Sequence, residues 1–316
     1  MKTKIFIDGS EGTTGLRIHE RFAGRDDIEI LPAAPELRKD VQERKRLINS
    51  ADIVFLCLPD AAARESAGLV EKETVRVIDA STAHRTQEGW AYGFPELSSK
   101  HKEAVRSGKR VAVPGCHATG FISLVYPLTS RKILPEDYPF SAFSLTGYSG
   151  GGKKMIAQYE GEGRRKELDA PREYALSQNH KHLKEMKKIA GLAREPLFSP
   201  IVADYYSGMA VSVPVYGEFL KGCREPGELR EFYEGFYQGQ KLIKVMEAGA
   251  EEKLEGGMMA GNGCSGWDGL KIYVTGNGDR MVLTAQFDNL GKGASGAAVQ
   301  CLNLMLGCEE DKGLNV

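Results

Sequence analysis

The fold of this 316-residue chain is decided by the stretch Lys4-Ile-Phe-Ile-Asp8-Gly9-Ser10-Glu11-Gly12-Thr13-Thr14-Gly15-Leu16-Arg-Ile-His-Glu-Arg-Phe22. It reads as a buried strand, a G-x-x-G-x-x-G loop and a helix. Glycines at this spacing let the backbone turn tightly and approach a pyrophosphate, which the helix N-terminus then holds. The stretch therefore predicts dinucleotide binding by Gly9, Ser10, Glu11, Gly12, Thr13, Thr14 and Gly15. The alternative is a glycine-rich turn that binds nothing.

Strand and helix patterns continue to alternate after this loop. The sequence predicts strands at residues 28–34, 51–59 and 75–79, and helices at residues 41–50 and 61–70. Such alternation is typical of a parallel, right-handed, doubly wound sheet. Ligands of these sheets collect at the carboxyl ends of the strands, so Pro59 and Ser81 join the predicted cofactor-binding residues.

Two cations, Arg38 and Lys39, follow the second predicted strand. They are suited to hold the 2′-phosphate of NADP, and a solvated basic pair is the alternative. Glu36 leaves NAD open, because an acidic residue near this strand end can hold the ribose diol. We expect NADP as the cofactor.

A second motif is Val111-Ala-Val-Pro-Gly-Cys116-His-Ala-Thr-Gly120. A β-branched run ends in Pro-Gly, one cysteine follows, and small and apolar residues then begin a helix. Backbone N–H groups and the helix dipole at such a turn favour the thiolate, which is the reactive form. We therefore expect Cys116 to be a nucleophile that opens into the crevice at the strand ends. A buried structural thiol is the alternative.

After Cys116 the pattern changes to neighbouring strands. The sequence predicts strands over 141–148, 201–215 and 270–287, a hairpin turn at 276–279, a helix over 227–247 and a last helix over 297–306. Runs of strands favour an antiparallel or mixed sheet in a second domain. A glycine loop over 149–154 ends in two lysines and is suited to an anionic group, with a flexible surface loop as the alternative.

A pair of histidines, His180 and His182, precedes a helical pattern over 183–190. In extended chain, residues two apart share a face, so both imidazoles can point into one site. Histidine is the commonest general acid or base. The alternative is a pair of structural or exposed histidines.

Composition excludes several classes of protein. Apolar residues make up 41% and charged residues 27%, and the formal net charge is −1, so neither nucleic acid nor an anionic membrane is expected as a partner. No apolar run approaches the ~20 residues of a membrane span. The six cysteines form no C-x-x-C pair, so we expect no metal. The chain opens without an apolar signal core, and a cytoplasmic protein is expected.

Taken together, the motifs resemble those of the N-acetyl-γ-glutamyl-phosphate reductases in their shorter form, over nearly the whole chain. The matching segments are Gly9–Gly15, Asp79-Ala-Ser81 with Arg85 beyond it, Gly93–Leu97, Pro114-Gly-Cys116, Ser149–Lys153, His180-x-His182 and Gly293–Gly296. Pro-Gly-Cys alone is weakly specific, whereas the ordered set is specific. Two departures from the longer members, His117 in place of tyrosine and Leu183-Lys-Glu185 in place of Thr-Pro-Glu, fit the shorter form and leave open which histidine acts.

The resemblance implies a reaction. NADPH would reduce N-acetyl-γ-glutamyl phosphate to N-acetylglutamate 5-semialdehyde, with release of phosphate, through a thioester on Cys116, in arginine biosynthesis. His180 is the expected acid/base and His182 the second choice. Backbone N–H groups after Cys116 would stabilise the oxyanion. The residues implied in substrate binding are Arg85, Ser149, Gly150, Lys153 and Lys154, and Gly293 joins the cofactor-binding residues.

The resemblance also implies a domain plan. Residues 1–117 with 292–316 would form a Rossmann-type NADP-binding domain, and residues 118–291 a catalytic and dimerisation domain, in a homodimer or homotetramer. Three alternatives remain. One is another acyl-phosphate reductase, of the aspartate-semialdehyde or aminoadipate type. The second is a non-catalytic NADP-sensing protein. The third is a metal-dependent dehydrogenase, against which the lack of a Cys/His cluster argues.

Overall fold

The computed structural model describes residues 2–316, apart from the side chain of Thr13, on which one predicted cofactor contact falls. The chain divides into two compact units. The first runs to Gly115 and includes Ala294–Leu314, and the second comprises Cys116–Gly293 with Asn315–Val316. Cys116 and His117 thus belong to the second unit, whereas the sequence assigned them to the first domain. Within residues 2–316, no helix combines the length and the apolar character that crossing a membrane requires.

The first unit contains a sheet of six parallel strands. The strands are β1 (Thr3–Asp8), β2 (Ile28–Ile30), β3 (Ile53–Leu56), β4 (Arg76–Asp79), β5 (Ala91–Tyr92) and β6 (Arg110–Ala112), and the helices between them are α1 (Thr13–Phe22), α2 (Val41–Ser50), α3 (Asp60–Gly68) and α4 (Ser99–Ser107). Their order, β2-β1-β3-β4-β6-β5, changes direction between β1 and β3. This is the predicted doubly wound sheet, and such a switch point is where ligands bind.

The second unit contains a sheet of seven strands. Its elements are α5 (Cys116–Ser130), β7 (Ser141–Gly147), α6 (Gly152–Glu160), β8 (Arg172–Glu173), α7 (Leu183–Ile189), β9 (Leu197–Ala203), β10 (Met209–Tyr216), α8 (Pro226–Phe236), β11 (Ile243–Val245), β12 (Leu270–Gly276) and β13 (Arg280–Phe287), and α9 (Gly296–Leu306) follows in the first unit. The strand order is β11-β12-β13-β10-β7-β9-β8. Two pairs are parallel and the others antiparallel, so the predicted mixed sheet is confirmed.

The last helix packs into the core of the first unit. Ala298 and Leu302 of α9 are fully buried in one cluster with Ile5 of β1, Ile18 of α1 and Ile78 of β4. Strands of a parallel sheet are covered on both faces and are therefore apolar throughout, as the buried run of β3 illustrates. The final segment of the chain thus covers one face of a sheet made by its first third.

Two predicted elements of the second unit were wrong. The helix predicted over 227–247 ends at Phe236, and Ile243–Val245 forms β11 instead. Gly239, at φ +77°, lies just beyond that end, and such a conformation stops a helix. The glycine loop predicted over 149–154 is a short 3₁₀ turn followed by α6, because Met155, Ile156 and Tyr159 have the spacing of a buried helical face.

Candidate active site

Cys116 is the first residue of α5 and is half-buried. Two glycines fix its surroundings. A Cβ on Gly120 would lie 2.4 Å from Cγ2 of Val211, so α5 lies very close to β10. A Cβ on Gly293 would lie 2.9 Å from Cβ of Cys116, so the segment after β13 passes directly over the cysteine. The thiol therefore lies at the N-terminus of a 15-residue helix, where the dipole favours the thiolate.

The two predicted histidines lie together, but the extended conformation assumed for them was wrong. The N–H of Leu183 donates to the carbonyl of His180 at 3.0 Å, which makes residues 180–183 a turn. The imidazole centroids are 4.7 Å apart with the rings nearly perpendicular. His182 is buried at the N-terminus of α7, whereas His180 is half-buried. The backbone N–H of His182 donates to Nδ1 of His180 at 3.2 Å, so a neutral His180 carries its proton on Nε2.

His117, which the sequence analysis treated only as a departure from a family pattern, lies at the centre of the cluster. Its ring centroid is 5.4 Å from that of His180 and 5.6 Å from that of His182. Nδ1 is hydrogen-bonded to Oγ of Ser144 and Nε2 to the hydroxyl of Tyr174, each at 2.6 Å. Burial, and then the charges of His180 and Lys181, lower its pKa to about 3. His117 is therefore neutral at physiological pH.

Tyr174 is a site residue that the sequence analysis missed. It follows β8, and its backbone N–H donates to the carbonyl of Pro200 at 3.0 Å, which ties it to β9. Burial raises the pKa of its phenol, and the charge of Cys116 raises it further. The only local signal is an aromatic residue at the end of a polar stretch. Its place in the site comes from pairing with a strand that lies later in the chain.

The residues predicted to bind substrate are spread over both units. In the second unit, Ser149 is buried and its hydroxyl accepts a hydrogen bond from Nδ2 of Asn289 at 3.0 Å. Gly150 is exposed, and Lys153 and Lys154 are exposed on the first turn of α6. In the first unit, Arg85 donates from Nε to the carbonyl of Val113 at 2.8 Å and from Nη2 to that of Ala80 at 3.2 Å. The structure therefore supplies exposed cations at 153 and 154, whereas Ser149 and Arg85 make structural hydrogen bonds.

The glycine loop of the first unit fits a pyrophosphate. Gly9 has φ +88°, and a Cβ there would lie 2.4 Å from the carbonyl oxygen of Cys57. A Cβ on Gly15 would lie 2.5 Å from the carbonyl oxygen of Gly9, and the N–H of Gly12 donates to that oxygen at 3.0 Å. The loop therefore folds tightly between the end of β3 and the start of α1. Only glycine permits this path, and it leaves the helix N-terminus open to an anion.

One of the two predicted NADP-selective cations, Arg38, lines a cavity in the first unit. The cavity has a volume of about 310 Å³ and is lined by the end of β2 and by Ser10, His19 and Arg38. Arg38 forms a 3.0 Å ion pair with Glu11 of the glycine loop, and Lys39 is exposed. Because the pair is exposed, it is weak enough for a phosphate to displace the carboxylate.

The loop after β4 is held by a buried network that the sequence analysis missed. The backbone N–H and the hydroxyl of Ser81 both donate to Asp79, at 2.9 and 2.8 Å. His84 is hydrogen-bonded to the same carboxylate at 2.6 Å and stacks on Trp90. The Ser81 hydroxyl is thus committed to Asp79, and Pro59 is the residue that immediately precedes α3. Across the described residues, no group of three His, Cys or acidic side chains is arranged to hold a metal ion.

Comparisons with known proteins agree with this division of the chain. The semialdehyde dehydrogenase NAD-binding domain matches residues 6–105, and the semialdehyde dehydrogenase dimerisation domain matches residues 116–289. The N-acetyl-γ-glutamyl-phosphate reductase 2 of Nostoc sp. is 43% identical over 99% of both chains. The N-acetyl-γ-glutamyl-phosphate reductase of Chelativorans sp. is 46% identical over 97% of this chain and 99% of its own.

A solved structure shows the same fold. The crystal structure of aspartate semialdehyde dehydrogenase II from Vibrio cholerae matches with a TM-score of 0.73 over 97% of this chain and 99% of its own, at 16% identity. At that identity the likeness concerns the fold alone, whereas the curated relatives share much more of the sequence. The chain belongs to the semialdehyde dehydrogenase family, within the group of N-acetyl-γ-glutamyl-phosphate reductases.

Proposed function

We propose that this protein reduces N-acetyl-γ-glutamyl phosphate to N-acetylglutamate 5-semialdehyde with NADPH, releasing phosphate, as a step of arginine biosynthesis. The observation that carries the proposal is the cysteine at the N-terminus of α5, followed by His117, whose ring centroid is 5.4 Å from that of His180, in a chain 43% identical to a reductase of that name. An acyl phosphate needs a nucleophile that can displace phosphate, and a thiolate serves well.

The covalent step belongs to Cys116. Its thiolate adds to the acyl carbon, the bond from that carbon to the phosphate oxygen breaks, and a thioester remains on the sulfur. After reduction, the hemithioacetal collapses to aldehyde and thiolate. His180 exchanges protons with the substrate oxygen through Nε2, while its Nδ1 accepts the backbone N–H of His182. The imidazole of His182 is proposed to position the substrate. Backbone N–H groups at the start of α5 stabilise the oxyanion.

The cofactor is NADP. Gly9, Gly12 and Gly15 shape the loop that would hold its pyrophosphate, and Arg38 with Lys39 would hold its 2′-phosphate. When bound, the reduced cofactor supplies the hydride that reduces the thioester carbon. Ser10 and Glu11 of the loop, Thr13 and Thr14 at the start of α1, and Pro59, Ser81 and Gly293 are further proposed contacts.

Substrate binding is proposed for the exposed cations at the start of α6. Lys153 and Lys154 carry the positive charge that binding of a phosphate or carboxylate requires. Gly150 is exposed shortly before them in the chain. Arg85 and Ser149 support the substrate site through the hydrogen bonds that order their loops. Of the proposed substrate-binding side chains, Lys153 and Lys154 are the exposed cations, and we expect them to contact the anionic group of the substrate.

We also propose that the second unit forms a homodimer, on which a homotetramer can be built. One face of its sheet exposes large apolar side chains, including Phe143 of β7, Leu197 of β9, Tyr216 of β10 and Val282 of β13. Exposed apolar patches of this kind mark interfaces, and the matching family domain is a dimerisation domain. A cytoplasmic location is proposed as well, because a thiol nucleophile has to stay reduced.

The function is tested in the reverse direction. The protein is incubated with N-acetylglutamate semialdehyde, inorganic phosphate and NADP, and NADPH is followed by its absorbance. We expect phosphate-dependent turnover, and none with aspartate semialdehyde in its place. Turnover with aspartate semialdehyde alone would assign the other acyl-phosphate reductase activity. NADP binding without any turnover would assign a sensing role.

A further inference from the structure

The glycine loop of the first unit carries an acidic side chain next to the cation proposed to hold the 2′-phosphate. Glu11 lies between Gly9 and Gly12, and its Oε1 is 3.0 Å from Nη1 of Arg38, the first cation after the end of β2. Both side chains line the cavity of about 310 Å³ at that strand end. A carboxylate repels a phosphate, so a negative charge at this position needs an explanation of its own.

One explanation is that the carboxylate of Glu11 holds the ribose diol of NAD, as an acidic residue after the second strand does in other dinucleotide sites. The observed contacts favour a different role. Glu11 belongs to the loop, and the acidic residue that does follow β2, Glu36, is exposed and does not line the cavity. The carboxylate of Glu11 is instead paired with the guanidinium of Arg38, which makes that cation less available to a second anion.

The Glu11–Arg38 ion pair treats the two cofactors differently. The side chain of Glu11 is 59% exposed and that of Arg38 39% exposed, and an ion pair in such a position is weak. A phosphate monoester carries close to two negative charges at neutral pH and can take two parallel hydrogen bonds from a guanidinium, so it displaces the single charge of a carboxylate. The 2′-hydroxyl of NAD is neutral and leaves the pair closed.

We propose that Glu11 is a specificity-determining residue: its carboxylate neutralises Arg38 until a 2′-phosphate displaces it, and this competition sets the ratio of NADP affinity to NAD affinity. The inference rests on the proposed function in taking NADP as the cofactor and Arg38 as a ligand of its 2′-phosphate. It concerns the side chain of Glu11, whose backbone remains part of the loop. Because only protein with an open pair offers Arg38 to the phosphate, the pair lowers the apparent affinity for NADP and leaves the affinity for NAD unchanged.

The test compares cofactor affinities of the wild type and Glu11→Gln, measured by isothermal titration calorimetry with NADP and with NAD in the absence of substrate. Glutamine keeps the shape of glutamate and removes its charge. We expect NADP to bind about two- to sixfold more tightly, which is the gain that an exposed ion pair can account for, and NAD to bind equally well. The gain should shrink at about 0.5 M salt, because salt screens the pair in the wild type.

Two further variants separate competition for Arg38 from an effect of overall charge. Glu20→Gln is the matched control, because it removes the same charge from α1, where Glu20 forms an exposed 3.3 Å ion pair with Arg17 and does not line the cavity. Its NADP affinity should equal that of the wild type. In Arg38→Gln, NADP should bind more weakly, and adding Glu11→Gln should bring little gain, because no guanidinium remains to be released.

Several results would overturn the proposal. Unchanged NADP affinity in a folded Glu11→Gln would show that the carboxylate does not compete, and weaker NAD binding would show that it holds the ribose diol. An equal gain in Glu20→Gln, or in the Arg38→Gln background, would reduce the effect to overall charge. Because binding requires no turnover, the expected shifts in a protein that fails the phosphate-dependent assay would remove only the proposed reaction. A wild type that binds no NADP would overturn both.

Discussion

The position of Cys116 depends on the close contact between α5 and β10, and Gly120→Ala perturbs that contact. The new Cβ would lie 2.4 Å from Cγ2 and 2.7 Å from Cβ of Val211, and 3.0 Å from the ring of Phe287. Carbon atoms pack at about 3.5–4.0 Å, so α5 has to move away from the sheet by roughly 1 Å. Because Cys116 lies one turn earlier on the same helix, it moves with α5.

The expected effects follow from these distances. Overpacking lowers the free energy of unfolding by about 1–3 kcal/mol. The higher helix propensity of alanine raises it by about 1 kcal/mol. The net loss of up to about 2 kcal/mol lowers the Tm by a few degrees, at roughly 2–4 °C per kcal/mol for a domain of this size. Misplacing a reacting atom by about 1 Å costs on the order of a hundredfold in rate. We therefore expect kcat to fall far more than stability.

The assay measures kcat for phosphate-dependent NADPH formation, the Tm of the second unit, and NADP affinity, which should not change because the glycine loop lies in the first unit. Gly227→Ala in α8 is the matched control, since a Cβ there meets nothing within 4 Å. Adding Val211→Ala to Gly120→Ala removes the atom at 2.4 Å and should restore part of the rate. Unchanged kcat in a folded Gly120→Ala would refute the reasoning.

The other predictions concern the proposed chemical groups. Near neutral pH, Cys116 should react with iodoacetamide far faster than the other cysteines, and Cys116→Ser should abolish turnover while NADP still binds; residual turnover would exclude the covalent mechanism. His180→Asn should lower the rate on the order of a hundredfold and remove one limb of the pH profile, whereas His182→Asn should mainly raise KM. If the limb disappears only in the His182 variant, the two roles are reversed. Replacing Arg38 and Lys39 with alanine should weaken NADP binding more than NAD binding, and an equal loss would show that neither cation contacts the 2′-phosphate.

Local patterns in the sequence predicted β1 to β4 and α1 to α3 of the first unit, but not β5 or α4. The predicted elements are each encoded by contiguous residues, as in the glycine spacing from Gly9 to Gly15. The start of α5 at Cys116 was predictable for the same reason, since Pro114-Gly115 ends the preceding strand run. Where the signal is contiguous, chain order and periodicity determine the structure.

The wrong and missed predictions concern features that depend on contacts between residues or elements beyond the local pattern. His117 and Tyr174 are 57 residues apart, and Tyr174 reaches His117 from a position fixed by the pairing of β8 with β9. The histidines form a turn because α7 begins immediately after them, which favours helical geometry at His182 over the extended form. The helix predicted beyond Phe236 failed because apolar residues at Ile243 and Val245 belong to a strand, and periodicity does not distinguish the two in short runs.

The packing of α9 in the first unit has a consequence for synthesis on the ribosome. The strands β1 to β6 emerge early, but their covering helix is translated only after β7 to β13 of the second unit. At about 5–20 residues per second, the roughly 180 intervening residues take on the order of 10–40 s to appear. During that time the apolar face around Ile5 and Ile78 lacks its cover. We therefore expect β7 to β13 to be available for folding before the amino-terminal sheet receives this helix, and that face of the sheet to stay open to other apolar surfaces until residues 296–306 have been made.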